Sequence, residues 1–183
     1  LMNPRQRIQE IGRLRMKPAA LLFFVLVLLA PASPSRKTVP RLEHGLPTAR
    51  AVAESVMEAL RKKDMKILVS LALSKEEFRK FVWPELPASN PTTNVSLDFV
   101  WNDVWFRSIN RLKGTFERFK GEKLMLVNLR HRGKVARYPT HIAYPDWEII
   151  IRDPDGKQGE YPLFGTLIEM DGVWKVYSYS PYH

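Results

Sequence analysis

One histidine lies where it could carry out acid–base chemistry. The chain has four histidines, of which His44 lies in a proline-rich stretch, His131 in a basic turn and His183 at the last position. His141 lies between two predicted strands, in a segment that also carries tyrosine and proline. Because an imidazole titrates near neutral pH, His141 could act as a general base at the mouth of a pocket. The alternative is a strand-edge histidine that makes a single structural hydrogen bond.

Three other residues could complete this pocket. Tyr144 lies in the same segment as His141, and Glu148 lies in an apolar strand, where a carboxylate on the core side would suit proton transfer. Strand alternation also allows Glu148 to face outward, toward Arg152. Arg107 lies on the polar side of a predicted helix, where its guanidinium could hold an anionic group. The candidate pocket therefore consists of Arg107, His141, Tyr144 and Glu148.

Several other chemistries lack the residues that they need. The chain contains no cysteine, which excludes disulfides, thiolate metal ligands, thiol nucleophiles and the acylated cysteine of a lipoprotein. The metal motif HExxH, a glycine-rich phosphate loop and the GxSxG elbow are also missing from the sequence. We therefore expect no metal, no cofactor and no nucleic-acid partner, and we assign no catalytic residue.

A second candidate site is a basic patch. The formal net charge is +10, and residues 107–137 carry ten lysines and arginines but only two glutamates. Such a field could attract phosphates, lipid headgroups or an acidic protein. The alternative is a solvated basic face that keeps the domain soluble. The candidate anion patch consists of Arg107, Arg111, Arg130, Arg132, Lys134 and Arg137.

The first part of the chain is typical of a secretory leader. Residues 19–30 are uninterruptedly apolar, which is shorter than the roughly 20 residues that a spanning helix needs. Basic residues precede this run, and Ala30-Pro31-Ala32 follows it as a small-x-small cleavage site. We predict a signal peptide at residues 1–32, with Met16 as an alternative start, and export to the periplasm or the medium. If the leader stays uncleaved, it would anchor the domain and be its membrane contact.

The remaining residues predict a tether followed by a single domain. Residues 33–47 are rich in proline and charge, as in a flexible tether. The domain is predicted to span residues 48–183 and to begin with short helices, one of which starts at a capping box formed by Ser74 and Glu77. After a proline-rich connector, a long helix begins near Ser96, with two tryptophans on its apolar face.

The sequence changes to strand periodicity after this long helix. Alternating β-branched and aromatic residues predict strands at 123–130, 146–152, 161–170 and 173–180. Helices followed by a run of antiparallel strands indicate an α+β fold. We expect three or four N-terminal helices packed on one curved antiparallel sheet of about four strands.

The order of these elements resembles a known superfamily. Helices, a long aromatic helix and a meander that ends in GVWKVYSY at residues 172–179 look like the nuclear-transport-factor-2-like, or cystatin-like cone, superfamily. The stretch from Ser74 through WPELP to Asp98-Phe99-Val100-Trp101 is similar to small exported bacterial proteins of that shape. The resemblance covers residues 48–180 and implies a cone-shaped fold and a homodimer through the exposed face of the sheet.

The resemblance does not imply one activity. The superfamily includes isomerases, dehydratases, hydrolases and pure binding or dimerisation modules. Many enzyme members carry an Asp/His or Asp/Tyr pair inside the cone, and the sequence offers no pair that can be assigned to that role. We therefore expect an exported, non-catalytic domain that binds a small ligand or a protein. One alternative is a pocket enzyme of the dehydratase or isomerase type, and the other is a binder of anionic surfaces.

Overall fold

A computed structural model describes residues 41–179. The predicted signal peptide and residues 33–40 of the predicted tether lie outside the described residues, as do residues 180–183. Within the described part, four helices precede seven strands in two antiparallel sheets. The α+β class and the order of helices before strands are therefore confirmed.

The first two helices begin at side-chain caps. Helix α1 spans Ala49–Lys62, and the Thr48 hydroxyl accepts a hydrogen bond from the Ala51 amide. Helix α2 spans Met65–Leu71, and the Asp64 carboxylate accepts one from the Ile67 amide. These bonds satisfy amides that would otherwise lack a partner in the first turn. The buried face of α1 consists of Val52, Ala53, Val56, Met57, Ala59 and Leu60.

The predicted capping box is present at the start of the third helix. Helix α3 spans Lys75–Glu77 and continues directly into a π-helical segment, Phe78–Val82. The proline-rich connector that follows was expected to lack regular structure, but it contains three single 3-10 turns. Each turn has proline in one of its first two positions, where the missing N–H costs no helical hydrogen bond. The turns are Trp83–Glu85, Pro87–Ser89 and Pro91–Thr93.

Helix α4 is the long aromatic helix expected from the sequence. It spans Leu97–Phe119, and Ser96 caps its first turn by accepting a hydrogen bond from the Phe99 amide. Its buried positions are seven, four, three and four residues apart, which places them on one helical face. They are Trp101, Ser108, Leu112, Thr115 and Phe119. Within residues 41–179, no helix is both long enough and apolar enough to cross a membrane.

The strands form two sheets rather than the single curved sheet that was expected. One sheet has the order β1-β4-β5 and the other has the order β2-β3-β6-β7. The chain passes from one sheet to the other between β3 and β4, at Asp146, whose φ of 55° interrupts the extended backbone. The strands are β1 Met125–His131, β2 Ala136–Arg137, β3 Ile142–Pro145, β4 Trp147–Arg152, β5 Gln158–Glu160, β6 Thr166–Met170 and β7 Val173–Ser178.

The four-strand sheet has a separate apolar cluster on each face. Leu167 and Ile168 are neighbours on β6 and are both buried, yet they belong to different clusters. Successive residues of a strand point to opposite faces, so the two clusters lie on opposite sides of the sheet. The cluster that contains Leu167 also has buried side chains from α1, α2 and β4. The cluster that contains Ile168 has buried side chains from the π-helical segment, together with Trp101 of α4.

The predicted tether extends too far along the chain. Leu42 is buried, with 3% of its surface exposed. The backbone of Leu46 forms two hydrogen bonds with that of Trp174, at 2.9 and 2.7 Å. These leucines bury apolar surface on the sheet, which outweighs the turn-forming composition around them. The folded part therefore begins before residue 48.

Gly114 offers a direct test of helix α4. It lies inside the helix, and a Cβ built there meets no atom within 4 Å. Replacing Gly114 with alanine should raise the free energy of unfolding by about 0.5–1 kcal/mol, because alanine loses less backbone entropy on folding. Gly156→Ala is the matched control, since its Cβ also meets open space but its φ is +82°. Urea denaturation should show stabilisation for Gly114→Ala and destabilisation for the control, and the reverse order would contradict the helix.

Candidate functional site

A small pocket lies beside His141, between the four-strand sheet and the segment that follows α3. Its volume is about 80 Å³. This is room for a small molecule or for the end group of a larger one. The lining is mostly apolar, with one imidazole and a few hydroxyl groups. The lining residues are Val82, Leu86, Tyr138, His141, Ala143, Thr166, Ile168 and Tyr177.

Two parts of the fold form the walls of this pocket. Ala143 on β3 and Ile168 on β6 are opposite each other in the strand register and contribute the sheet side. Val82 ends the π-helical segment, and Leu86 follows the first 3-10 turn, so these two contribute the opposite wall. Ala143 has a small side chain and therefore leaves space on the sheet side of the pocket.

The turn before β3 is fastened to the segment opposite. The Thr140 amide donates a hydrogen bond to Glu85 Oε1 at 3.0 Å, and the Thr140 hydroxyl donates one to the Phe81 carbonyl at 3.1 Å. His141 Nδ1 lies 3.1 Å from Glu85 Oε2 and 3.2 Å from the Thr140 hydroxyl oxygen. Three contacts between distant parts of the chain therefore fix the position of the imidazole.

These contacts favour a proton on one of the two ring nitrogens of His141. The Glu85 carboxylate can only accept, and the hydroxyl proton of Thr140 is already donated to Phe81. An N–H at Nδ1 therefore donates to the Thr140 hydroxyl oxygen and lies beside Glu85 Oε2, which itself forms no hydrogen bond in the described part of the chain. In a neutral imidazole the other nitrogen, Nε2, then carries a free lone pair. No hydrogen-bond partner of His141 Nε2 is found among residues 41–179.

Burial keeps this imidazole neutral. His141 is only 4% exposed. Burial lowers the pKa of His141 below its usual value, and the nearby Glu85 carboxylate only partly opposes this effect. A neutral ring whose Nδ1 lies 3.1 Å from a carboxylate oxygen has the arrangement of a hydrogen-bond acceptor or of a general base.

Two tyrosines add polar groups to the pocket. The Tyr138 ring stacks on the His141 ring, with centroids 4.6 Å apart and planes 15° apart. Burial raises the pKa of Tyr177, and the neighbouring Tyr138 raises it further. The Tyr177 hydroxyl therefore stays protonated and can donate or accept a hydrogen bond.

The other three residues of the predicted pocket do not line this cavity. Tyr144 follows Ala143 on β3 and faces the opposite side of the sheet, where its ring lies 4.7 Å from that of Trp174. Arg107 has an exposed side chain on α4, and its Nε lies 2.9 Å from Asp103 Oδ1. The prediction that four residues converge on one pocket is therefore wrong, because strand alternation and the position of α4 separate them.

Glu148 forms a separate cluster with two arginines. It is opposite Arg130 in the register of β1 and β4, and its Oε2 lies 2.7 Å from an Arg130 nitrogen. Its Oε1 pairs with Arg132. The Glu148 side chain is 11% exposed. It therefore does not pair with Arg152, as strand alternation had suggested, but with Arg130 of the neighbouring strand and with Arg132 just after that strand.

These pairs reduce the free charge of the predicted anion patch. Arg130 and Arg132 are bound to Glu148, and Arg107 is bound to Asp103. Within the described part of the chain, Arg111, Lys134 and Arg137 form no ion pair. The anion patch stays a prediction, with its free charge concentrated at these three residues.

A larger cavity on the same molecule is less suited to a ligand. Its volume is about 320 Å³, and stacked rings of Trp101 and Trp105, with centroids 5.5 Å apart, form one wall. Lys175 and Glu77 also line this cavity and are paired at 2.9 Å. Because these charges satisfy each other, the cavity offers a ligand mainly apolar contact.

Glu85 is a residue of this candidate site that the sequence did not indicate. It lies in the WPELP connector, where prolines suggested only a rigid linker. Tyr138, three residues before His141, was likewise not singled out, although its aromatic ring completes the site. In the described part of the chain, no group of three or more histidine, aspartate or glutamate side chains is placed to hold a metal ion.

Comparison with protein-family models, with curated proteins and with solved structures finds no match for this chain. The resemblance to the nuclear-transport-factor-2-like superfamily therefore stays a prediction.

The lowered pKa of His141 makes stability depend on pH. The unfolded histidine titrates near pH 6.5, whereas the folded one titrates lower, so the unfolded state binds more protons between these values. Stability should therefore fall as the pH decreases from 7.5 to 5.5, and less so in His141→Gln. His44→Gln is the control, because His44 is exposed. Urea denaturation at both pH values measures the difference, and equal slopes for wild type and His141→Gln would contradict a buried neutral imidazole.

Proposed function

We propose that this chain is an exported, non-catalytic binding domain that holds a small ligand in the pocket beside His141. The observation that carries the proposal is a buried imidazole with its Nδ1 occupied and its Nε2 without a partner among residues 41–179, in an otherwise apolar cavity. A ligand with an O–H or N–H donor would supply the hydrogen bond that Nε2 lacks among these residues.

The pocket restricts the chemistry of the ligand. About 80 Å³ admits a compact group. The walls formed by Val82, Leu86, Ala143 and Ile168 favour an apolar body. His141 Nε2 favours one O–H or N–H donor on that body. We therefore infer a small ring or branched chain with a single hydroxyl or amine-type donor, either free or at the end of a larger molecule.

Export and fold family belong to the same proposal. The apolar run at residues 19–30, with basic residues before it and Ala30-Pro31-Ala32 after it, supports secretion of the domain. The order of helices before antiparallel strands is compatible with the cone-shaped superfamily named above. Pure binding modules occur in that superfamily, so a pocket without catalysis agrees with the resemblance.

Phenol and benzene provide a matched pair of probes. They have nearly the same apolar body, but only phenol has an O–H donor for Nε2. Phenol should raise the melting temperature of the full chain more than benzene does, because it stabilises the folded state by its occupancy. His141→Phe should remove the difference between the two probes, and Ala143→Leu should abolish both shifts by filling the cavity.

Two outcomes of this thermal-shift experiment would reject the proposal. One is that neither probe changes the melting temperature at millimolar concentration. The other is that the shifts persist unchanged in Ala143→Leu. Circular dichroism of each variant shows whether it is folded, so a lost shift can be separated from a lost fold.

A second candidate is an acid–base enzyme of the isomerase or dehydratase type. The contact between His141 and Glu85 favours it, because a carboxylate that orients an imidazole also stabilises the imidazolium formed on proton abstraction. Such an enzyme would exchange an acidic C–H of a bound compound with deuterium in D₂O. Exchange seen by NMR in the wild type and absent in His141→Gln would favour the enzyme over the binding module.

A further inference from the structure

Tyr177 is a residue of the pocket beside His141 whose hydroxyl group the proposed function leaves unused. It lines the cavity, and its hydroxyl forms no hydrogen bond with any of residues 41–179. Tyr179, two residues further along the chain, is different, because its hydroxyl donates a hydrogen bond to the Leu68 carbonyl at 2.6 Å. Buried tyrosine hydroxyls usually have such a partner. The Tyr177 hydroxyl is therefore available to a bound ligand.

The sheet is irregular at the position of Tyr177. In the pairing of β6 with β7, Thr166 is opposite Ser178 and Leu167 is opposite Val176, which leaves Tyr177 as the extra residue of a β-bulge. Bulges are frequent beside functional sites, where they change the direction of a side chain. The bulge is therefore a second observation, independent of the hydroxyl group, that connects Tyr177 with the pocket.

The surroundings of Tyr177 determine what its hydroxyl can bind. Its ring stacks on that of Phe78, with centroids 6.5 Å apart and planes 26° apart. Burial raises the pKa of Tyr177, as does the neighbouring Tyr138, so the oxygen keeps its proton and can donate it to a hydrogen bond. None of the described residues that line the pocket is an aspartate, glutamate, lysine or arginine. Because a buried charge without a partner is costly, the matching ligand group is a neutral acceptor.

We propose that Tyr177 determines ligand specificity by donating a hydrogen bond to the compound that His141 holds. This inference rests on the proposed function, because it concerns the same pocket. His141 lies just before β3 and Tyr177 lies on β7, with β6 between these strands. Strands two places apart in a sheet are separated by about 10 Å. The ligand class is therefore a neutral compound with an O–H or N–H donor at one end of a compact apolar body and a hydrogen-bond acceptor at the other.

Two phenols of nearly the same shape test this inference on the full chain. 4-Cyanophenol carries a nitrile, whose nitrogen accepts a hydrogen bond, whereas 4-ethynylphenol carries a linear alkyne without that nitrogen. The wild type should bind the nitrile roughly fivefold more tightly, because it gains one hydrogen bond. The same comparison of 3-cyanophenol with 3-ethynylphenol covers the other direction in which the second group can point. Titration followed by NMR measures the dissociation constants, and the preference is expected for at least one ring position.

Tyr177→Phe assigns the preference to one hydroxyl, because it removes that group and keeps the ring. This variant should lose the preference for the nitrile, and its binding of the alkyne shows that the pocket is still formed. The nitrile also makes the phenol a stronger donor to His141, but that effect persists in Tyr177→Phe and can be subtracted. Tyr144→Phe is the matched control, since Tyr144 contacts Trp174 on the opposite side of the sheet and does not line the pocket. It should keep the preference of the wild type.

Failure of this inference can be distinguished from failure of the proposed function. If phenol binds but the nitrile gives no advantage at either ring position, only the role of Tyr177 is overturned. The same holds if the full preference survives in Tyr177→Phe or disappears equally in Tyr144→Phe. If phenol itself does not bind, the pocket beside His141 is rejected as a ligand site, and this inference is rejected with it.

Discussion

The buried ion pair between Glu77 and Lys175 is the constraint on which the arrangement of this domain depends. The two side chains are 5% and 3% exposed and approach to 2.9 Å. The Glu77 carboxylate also accepts hydrogen bonds from the amides of Glu43 and Ser74, both at 2.7 Å. Burial alone would raise the pKa of Glu77, but the Ser74 amide and Lys175 outweigh it and hold that pKa below its usual value. One carboxylate thus joins the beginning of the described chain, the start of α3 and strand β7.

The pocket beside His141 is a consequence of this junction. Because Glu77 fixes the end of α3 on the sheet, the π-helical segment that follows must run across the same face. That segment and its first 3-10 turn place Val82, Glu85 and Leu86 over β3 and β6, and the hydrogen bonds of Thr140 close the arrangement. π-Helical turns occur often at functional sites, where they shift side chains out of regular helical positions. The geometry around His141 is therefore set by contacts between segments that are far apart in sequence.

Some features of this fold can be predicted from the sequence and others cannot. The reason is how far apart in the chain the interacting residues lie. The capping box at Ser74 and Glu77 and the apolar face of α4 depend on residues within a few positions, so periodicity and residue type predict them. The strands β2, β3 and β5 contain two to four residues, which is too short for an alternation pattern. His141 was predictable from its chemistry, but its partner Glu85 was not, because only tertiary packing brings the connector to the turn before β3. For the same reason, the arginine partners of Glu148 became apparent only from the register of β1 and β4.

The free energy of unfolding of Glu77→Gln tests the central role of the ion pair most directly. Removing one partner of a buried pair leaves the other charge without compensation, which typically costs about 3–5 kcal/mol. Glu76→Gln is the matched control, because Glu76 is exposed and pairs only with Arg79 at the surface; its effect should stay within about 0.5 kcal/mol. Urea denaturation of the two variants at neutral pH should therefore show a large loss for Glu77→Gln alone. Equal stability of the two variants would mean that Glu77 does not hold α3 on the sheet.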